Sequence, residues 1–139
     1  MRLINTSSFE MCEFIGSNIP PYAIVSHTWG GDEVTYQAYA KRHSKAGNEK
    51  IDKCCALASL ADISYLWIDT CCIDKSSSAE LTEAINSMYQ WYKNSEVCYV
   101  YLCDMSGIHT DRESGSESDW LDKKSQEFCR CRWFRRGWT

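Results

Sequence analysis

Residues 65–75 read YLWIDTCCIDK, and this stretch decides the fold of the chain. It opens with an apolar run that is too short for a helix of its own, so we interpret 65–69 as a buried β-strand. A polar loop follows and leads into a helix predicted over 79–93. Ser77 and Glu80 match a capping box, in which each side chain pairs with a free backbone N–H at the helix start. The stretch therefore predicts a strand that passes directly into a loop and a helix.

Two further apolar runs, at 22–26 and 97–102, carry β-branched and aromatic residues and predict strands on either side of this unit. Residues 50–62 place apolar side chains on one face and predict an amphipathic helix between the first two strands. Strands that alternate with helices favour a parallel sheet covered on both faces. Since crossovers are right-handed, the predicted fold is α/β, with a flavodoxin-like parallel sheet.

Composition excludes several classes of protein. The 139 residues suffice for one domain, 1–139, and a hydrophobic content of 44% excludes a generally disordered chain. A net charge of −4 argues against a dedicated nucleic-acid binder. We expect no membrane span, because no apolar run approaches about 18 residues. The nine cysteines are an odd number, and no secretory signal precedes them, so we expect free thiols in the cytoplasm.

The C-terminal third is less regular. Residues 106–119 are rich in Ser, Gly and charged residues and predict a mobile loop or an insertion, with a helix predicted over 120–132. The run 130–138 combines arginines with aromatic residues, which suits phosphate or nucleic-acid binding but equally a helix with one apolar and one charged face. No C-cap signal precedes Thr139, so we expect a domain that is truncated at its C-terminus.

Candidate ligand-binding residues follow the predicted strands. Ligands of such sheets bind beyond the carboxyl ends of the strands, which predicts a site that includes His27, Trp29, Gly30, Asp69 and Asp74. Four of these residues also have a structural explanation. Asp69, like Asp104 after the third strand, suits a turn cap, whereas the histidine suits a core position, the tryptophan a cover for the sheet end and the glycine a turn.

The paired cysteines suggest two kinds of chemistry. Zinc sites use spaced C-x-x-C or Cys/His pairs, whereas the cysteines here are adjacent or one residue apart, so we expect no metal site. A thiol nucleophile at Cys71 or Cys72, with His27 as its base, would make a cysteine hydrolase. The alternative is that these cysteines are buried, as most free cysteines are.

Four blocks of sequence resemble the fungal heterokaryon incompatibility (HET) domain. They are PYAIVSHTWG at 21–30, YLWIDTCCIDK at 65–75, EAINSMY at 83–89 and RWFRRGWT at 132–139. The opening MRLI also resembles the subgroup that precedes nucleotide-binding STAND modules. The resemblance implies an effector of non-self recognition that triggers regulated cell death. It also implies protein partners, with self-association through a downstream STAND or repeat module and no nucleic acid.

The order of segments is similar to that of TIR domains, which have a flavodoxin-like sheet. Some TIR domains hydrolyse NAD with a glutamate in a Trp-Cys-x-x-Glu-Leu motif, which Trp138 would begin here. That glutamate would lie beyond Thr139, so no catalytic residue is assigned. The resemblance thus implies NAD as a substrate, with no cofactor, in a pocket of His27, Trp29, Gly30, Asp69, Asp74 and Trp138. The alternative is a non-catalytic scaffold that acts through homotypic contacts.

Overall fold

The computed structural model describes residues 1–16, 18–31, 33–41, 48–105 and 117–135, and only the backbone of 117–120. The elements, in chain order, are β1 Arg2–Asn5, β2 Met11–Glu13, β3 Ala23–His27, α1 Tyr36–Lys41, α2 Glu49–Leu60, β4 Tyr65–Trp67, α3 Asp69–Cys72, α4 Ser78–Asn94, β5 Val97–Tyr101, α5 Glu117–Arg130 and a 3₁₀ turn at Arg132–Arg135. Most of the predicted loop 106–119, and Trp138, lie outside the described residues.

The five strands form one mixed sheet in the order β2-β1-β4-β3-β5. The sequence predicts β3, β4 and β5. These three strands run parallel to one another, as expected. The prediction of a wholly parallel sheet is wrong, because β1 pairs antiparallel with both β2 and β4. These two strands have four and three residues, so they are too short to show a clear alternation of apolar and polar residues.

Helices cover both faces of the sheet, as predicted. The Trp67 ring lies on the face of its partner Ile24 and packs edge-on against Trp91 of α4, with ring centroids 5.6 Å apart. Tyr101 is the partner of His27, three residues after Ile24 and therefore on the opposite face. The Lys50 ammonium of α2 lies 5.4 Å from the centre of the Tyr101 ring. The two crossover helices thus lie on opposite faces.

The helix boundaries are close to those predicted. Helix α2 begins at an Asn48 N-cap, whose side chain accepts a hydrogen bond from the Ile51 backbone N–H at 3.1 Å. Residues 34–40 showed no clear periodicity, and the structure places α1 there. Helix α5 starts at Glu117, inside the predicted loop, and a 3₁₀ turn follows it.

Strand β3 is the most deeply buried element of the sheet, because all five of its residues are shielded from solvent. It lies between β4 and β5, with a helix over each face. Its last residue, His27, is only 3% exposed. The carboxyl end of β3 therefore places the His27 side chain at the edge of the core, next to the segment that follows β4.

Candidate functional site

The carboxyl ends of β3 and β4 meet, as the parallel pairing requires. His27 ends β3, and Asp69 begins α3 two residues after β4. The His27 Nε2 atom lies 2.9 Å from Asp69 Oδ1. The structure thus brings these two predicted side chains into direct contact.

Asp69 also binds the third predicted residue. Its Oδ2 atom accepts a hydrogen bond from the Trp29 indole N–H at 2.9 Å and lies 4.0 Å from the Lys75 ammonium. Burial alone would raise the pKa of Asp69. The hydrogen bond and charge of His27, the Lys75 charge and the Trp29 hydrogen bond outweigh it and hold this pKa below its usual value. The carboxylate is therefore ionised at neutral pH.

Lys75 completes what we call the Asp69 cluster: Asp69, His27, Trp29 and Lys75. Its ammonium lies 3.2 Å from the centre of the Trp29 ring, a cation–π contact. Burial lowers the pKa of Lys75, although the charge of Asp69 acts in the opposite direction. The indole thus lies against both a carboxylate and an ammonium, which orders a side chain that is 50% exposed.

The second ring nitrogen of His27 faces two residues that sequence reasoning missed. Its Nδ1 atom lies 3.1 Å from the Lys50 ammonium and 3.6 Å from Glu33 Oε1. The same nitrogen also lies 3.2 Å from the Thr28 carbonyl oxygen. Lys50 also donates to Glu33. Lys50 lies in the first turn of α2, and a helix that follows a parallel strand starts at the same edge of the sheet, which is the signal that could have found it.

Gly30 lies at this edge, but its backbone N–H is occupied. It donates to Glu33 Oε1 at 3.0 Å, and so it does not point an unpaired donor at a phosphate. A Cβ atom at this position would meet Glu33 Oε1 at 3.9 Å, an ordinary contact, so the space does not require glycine. The Gly30 backbone is thus tied to Glu33, whose carboxylate also lies near His27 and Lys50.

Asp74 is not part of the Asp69 cluster, so its assignment to the pocket is corrected. Its Oδ1 atom accepts hydrogen bonds from the Ser76 N–H at 2.9 Å, the Ser76 hydroxyl at 2.6 Å and the Gln37 amide. The Ser76 hydroxyl bond, although burial opposes it, leads the contacts that lower the pKa of Asp74. Asp74 thus closes an Asx turn and ties it to α1.

A second ionic group lies behind that turn. Arg2 of β1 makes a two-pronged bond to Glu80 of α4, at 2.7 and 2.6 Å, and Glu80 also accepts the Asp74 N–H at 2.7 Å. We call Arg2, Glu80 and Asp74 the Arg2 network. Half of the predicted capping box is confirmed, since Ser77 Oγ accepts the Glu80 N–H at 3.3 Å. The other half is wrong, because the Glu80 carboxylate binds Arg2 and Asp74 instead.

The adjacent cysteines lie away from this chemistry. Cys71 and Cys72 are 0% and 3% exposed. A hydrogen bond from its neighbour Cys72, burial and nearby negative charge raise the pKa of Cys71 well above its usual value. The Cys72 sulfur accepts the Ile68 N–H at 3.5 Å. A buried thiol with a raised pKa is a poor nucleophile, so the geometry opposes a cysteine hydrolase.

A cavity of about 990 Å³ opens beside the Asp69 cluster. It lies among the carboxyl end of β3, Cys98 of β5, helix α4 and the 3₁₀ turn, and its lining includes His27, Trp29, Asp69, Tyr89, Tyr92, Arg132, Trp133 and Arg135. The residues of the 3₁₀ turn were not predicted as site residues. They belong to the run 130–138, whose arginines and aromatic residues suit phosphate or nucleic-acid binding. A ligand in this cavity would contact an ionised carboxylate, a histidine, aromatic rings and two arginines.

The described part of the chain contains neither a membrane-spanning helix nor a group of metal ligands. No described helix combines the length and the hydropathy needed to cross a membrane. Within the same residues, no three His, Cys, Asp or Glu side chains are grouped so that they could hold a metal ion. All nine cysteines are free thiols.

Comparison with known proteins identifies the family. The sequence profile described as "Heterokaryon incompatibility protein (HET)" matches residues 22–125. The chain is 47% identical over 125 residues to the vegetative incompatibility protein HET-E-1 of Podospora anserina, and the aligned part covers 87% of this chain. It spans only 9% of the length of that relative. No solved structure matches the chain significantly. The resemblance noted in the four sequence blocks is confirmed, and the chain belongs to the heterokaryon incompatibility (HET) family.

Proposed function

We propose that this chain is the effector domain of a heterokaryon incompatibility protein, and that it triggers regulated cell death once partner modules bring several copies together. Membership of the HET family and the 47% identity to a vegetative incompatibility protein support this role. That relative is far longer than the chain, which suits an effector whose sensing and STAND or repeat modules lie elsewhere in the protein. Nine free thiols suit a cytoplasmic location.

The mechanism that we propose is cleavage of NAD in the cavity beside the Asp69 cluster. The parallel order β4-β3-β5, with helices on both faces, supports a flavodoxin-like, TIR-like arrangement. In such sheets ligands bind beyond the carboxyl ends of the strands, where this cavity lies. Its volume of about 990 Å³ suits a ligand of dinucleotide size. The single observation that carries the proposal is this cavity with an ionised Asp69 in its wall.

The reaction breaks the bond between the nicotinamide nitrogen and C1′ of the ribose. Nicotinamide leaves as a neutral molecule with the bonding electron pair, and a water oxygen bonds to C1′ and releases one proton, so the products are ADP-ribose and nicotinamide. Positive charge develops on the ribose as the bond breaks. A carboxylate with a lowered pKa, such as Asp69, stabilises that charge. No described residue is assigned as the group that activates the water.

The test uses the whole protein that contains this chain, joined to an inducible oligomerisation module and expressed in a fungal host. We expect oligomerisation to release nicotinamide and kill the cells, and Asp69→Asn to abolish both effects. The matched control is Asp122→Asn, the same change at an exposed position of α5, which should behave like wild type. Cell death that persists in Asp69→Asn without nicotinamide release would refute the enzymatic proposal.

One observation favours a second candidate, a non-catalytic scaffold. Leu57 and Leu60 of α2 are 50% and 84% exposed and lie three residues apart, so they form a small apolar patch on the outer side of that helix. A scaffold predicts that Leu57→Ser with Leu60→Ser abolishes cell death while Asp69→Asn does not. The enzyme predicts that Asp69→Asn abolishes nicotinamide release whatever the effect of the leucine changes.

A further inference from the structure

The 3₁₀ turn is fixed to the end of the sheet by two side-chain contacts. The Trp133 indole N–H donates to Ser26 Oγ of β3 at 3.1 Å. The Arg132 backbone N–H donates to Asp104 Oδ2, just beyond β5, at 2.8 Å. Asp104 thus caps the 3₁₀ turn, which lies far along the chain from the turn that directly follows β5. The two arginines of this turn are held at the mouth of the cavity.

The charged lining of the cavity is not balanced. Its carboxylate, Asp69, is already bonded to His27 and Trp29 and lies near the Lys75 ammonium. Arg132 uses one guanidinium nitrogen on the Trp29 carbonyl at 3.3 Å. Arg135 is exposed and makes no hydrogen bond or ion pair with another described residue. A protein with a net charge of −4 therefore has a positive mouth to this one cavity, which attracts anions.

Aromatic side chains line the same cavity, and two of them are at least half exposed, although the Lys75 ammonium covers one face of Trp29. Tyr89 is 73% exposed and Trp29 is 50% exposed, whereas Tyr92 is anchored, since its hydroxyl donates to the Val25 carbonyl at 3.2 Å. Exposed rings offer stacking surfaces for a planar base. Guanidinium groups suit phosphate oxygens, because they present several donors in a fixed plane. The cavity can thus bind the base of a ligand through its aromatic rings and the phosphate of the same ligand through its arginines.

We infer that Arg132 and Arg135 form a phosphate subsite, and that the ligand of this cavity is a nucleotide that carries a pyrophosphate. This inference rests on the proposed function and specifies the residues that select its substrate class. Arg135 is the main anion ligand, because its guanidinium has no other described partner. Arg132 is the inner ligand, oriented by its bond to the Trp29 carbonyl.

The experiment measures binding by calorimetry, using the whole protein and two probes, ADP-ribose and adenosine. Neither probe contains a bond to nicotinamide, so binding is measured without turnover. We expect ADP-ribose to bind and adenosine to bind at least about tenfold more weakly. Arg135→Gln should weaken ADP-ribose binding by about tenfold or more and leave adenosine unaffected. The matched control is Arg130→Gln, at an exposed position of α5 outside the cavity lining.

A competition experiment on the wild-type protein gives a second measurement of ADP-ribose binding. It does not depend on whether a variant folds. Inorganic pyrophosphate should displace ADP-ribose, and added salt should weaken ADP-ribose more than adenosine. Equal affinities for the two probes, or a fully active Arg135→Gln variant, would overturn the subsite even if NAD is cleaved. A short oligonucleotide that binds more tightly than ADP-ribose would overturn it in favour of a nucleic-acid site. ADP-ribose binding without NAD cleavage would support the subsite and refute the enzymatic proposal.

Discussion

Asp69 and Asp74 occupy one short segment between β4 and α4, and the pKa of each carboxyl is lowered, yet they belong to different parts of the molecule. Asp69 uses both of its oxygens, on His27 and Trp29, and faces the cavity. Asp74 accepts both of its Ser76 hydrogen bonds on Oδ1, inside an Asx turn. A lowered pKa at a strand end therefore does not by itself identify a ligand site. A carboxylate marks a ligand site only if it and the residues bonded to it lie in the wall of a cavity.

The same contrast separates the two ionic groups. The Arg2 network joins β1, the Asx turn and α4 and lies away from the cavity. The Asp69 cluster joins the ends of β3 and β4 to the cavity wall. We expect the first to contribute stability and the second to contribute function, and the following substitutions test that division.

The largest expected effect on stability is that of Arg2→Ala. The Arg2 and Glu80 side chains are 16% and 29% exposed, so removal of the guanidinium leaves a largely buried carboxylate without its ion partner. We expect a loss of about 3 kcal/mol in the free energy of unfolding, measured by urea denaturation. Lys53→Ala, which removes the exposed pair with Glu49, is the control and should leave the free energy of unfolding almost unchanged, because an exposed ion pair contributes little to stability. Equal losses in the two variants would contradict the buried role of Arg2.

The next effect separates the two aspartates directly. In Asp69→Asn one of the two acceptor oxygens becomes an amide that faces a donor, so we expect a loss of about 2 kcal/mol. In Asp74→Asn the oxygen that accepts the Ser76 bonds is retained, so the loss should be clearly smaller than in Asp69→Asn. Thermal unfolding of both variants provides the measurement. A larger loss in Asp74→Asn would reverse the comparison.

Acid sensitivity should show a smaller difference. The lowered pKa of Asp69 contributes stability that is present above the unfolded pKa of about 3.9 and is lost as the pH falls through the folded value. Between pH 5 and pH 2.5, the urea midpoint of wild type should therefore fall more steeply than that of Asp69→Asn. Asp122→Asn should keep the wild-type slope. Parallel curves for wild type and Asp69→Asn would show that Asp69 is not held ionised by its partners.

The smallest expected effect concerns the reactivity of the thiols and involves no change in the stability of the protein. Burial raises the pKa of Cys54 to about 11 and is the leading cause that raises that of Cys55 to about 12, and Cys71 is also buried. We expect maleimide to label the exposed Cys98 and Cys129 in the folded protein and the buried thiols only after unfolding. Mass spectrometry of labelled peptides identifies the sites. Rapid labelling of Cys71 would restore the cysteine hydrolase as a candidate.

Much of this architecture could be predicted, because it depends on local periodicity. The parallel strands β3, β4 and β5 and the helices α2 and α4 have apolar patterns long enough to be recognised. The hairpin of β1 and β2 could not, because three or four residues show too little alternation. At the site, His27, Trp29 and Asp69 were predicted from their place after strands. Lys50 and Glu33 were not, because their roles depend on where α2 begins relative to the sheet.

The family, the alternation of strands and helices and the edge of the sheet at which polar residues gather can all be read from the chain, since each of these depends on residues that are near neighbours in sequence. Which of those residues face the cavity depends on how the distant segments pack. Asp69 and Asp74 are equivalent by composition and spacing, but contacts with distant residues, Trp29 for the first and Gln37 for the second, give them different surroundings. Packing of α1 and α4 around the loop sets that difference, and no local pattern encodes it.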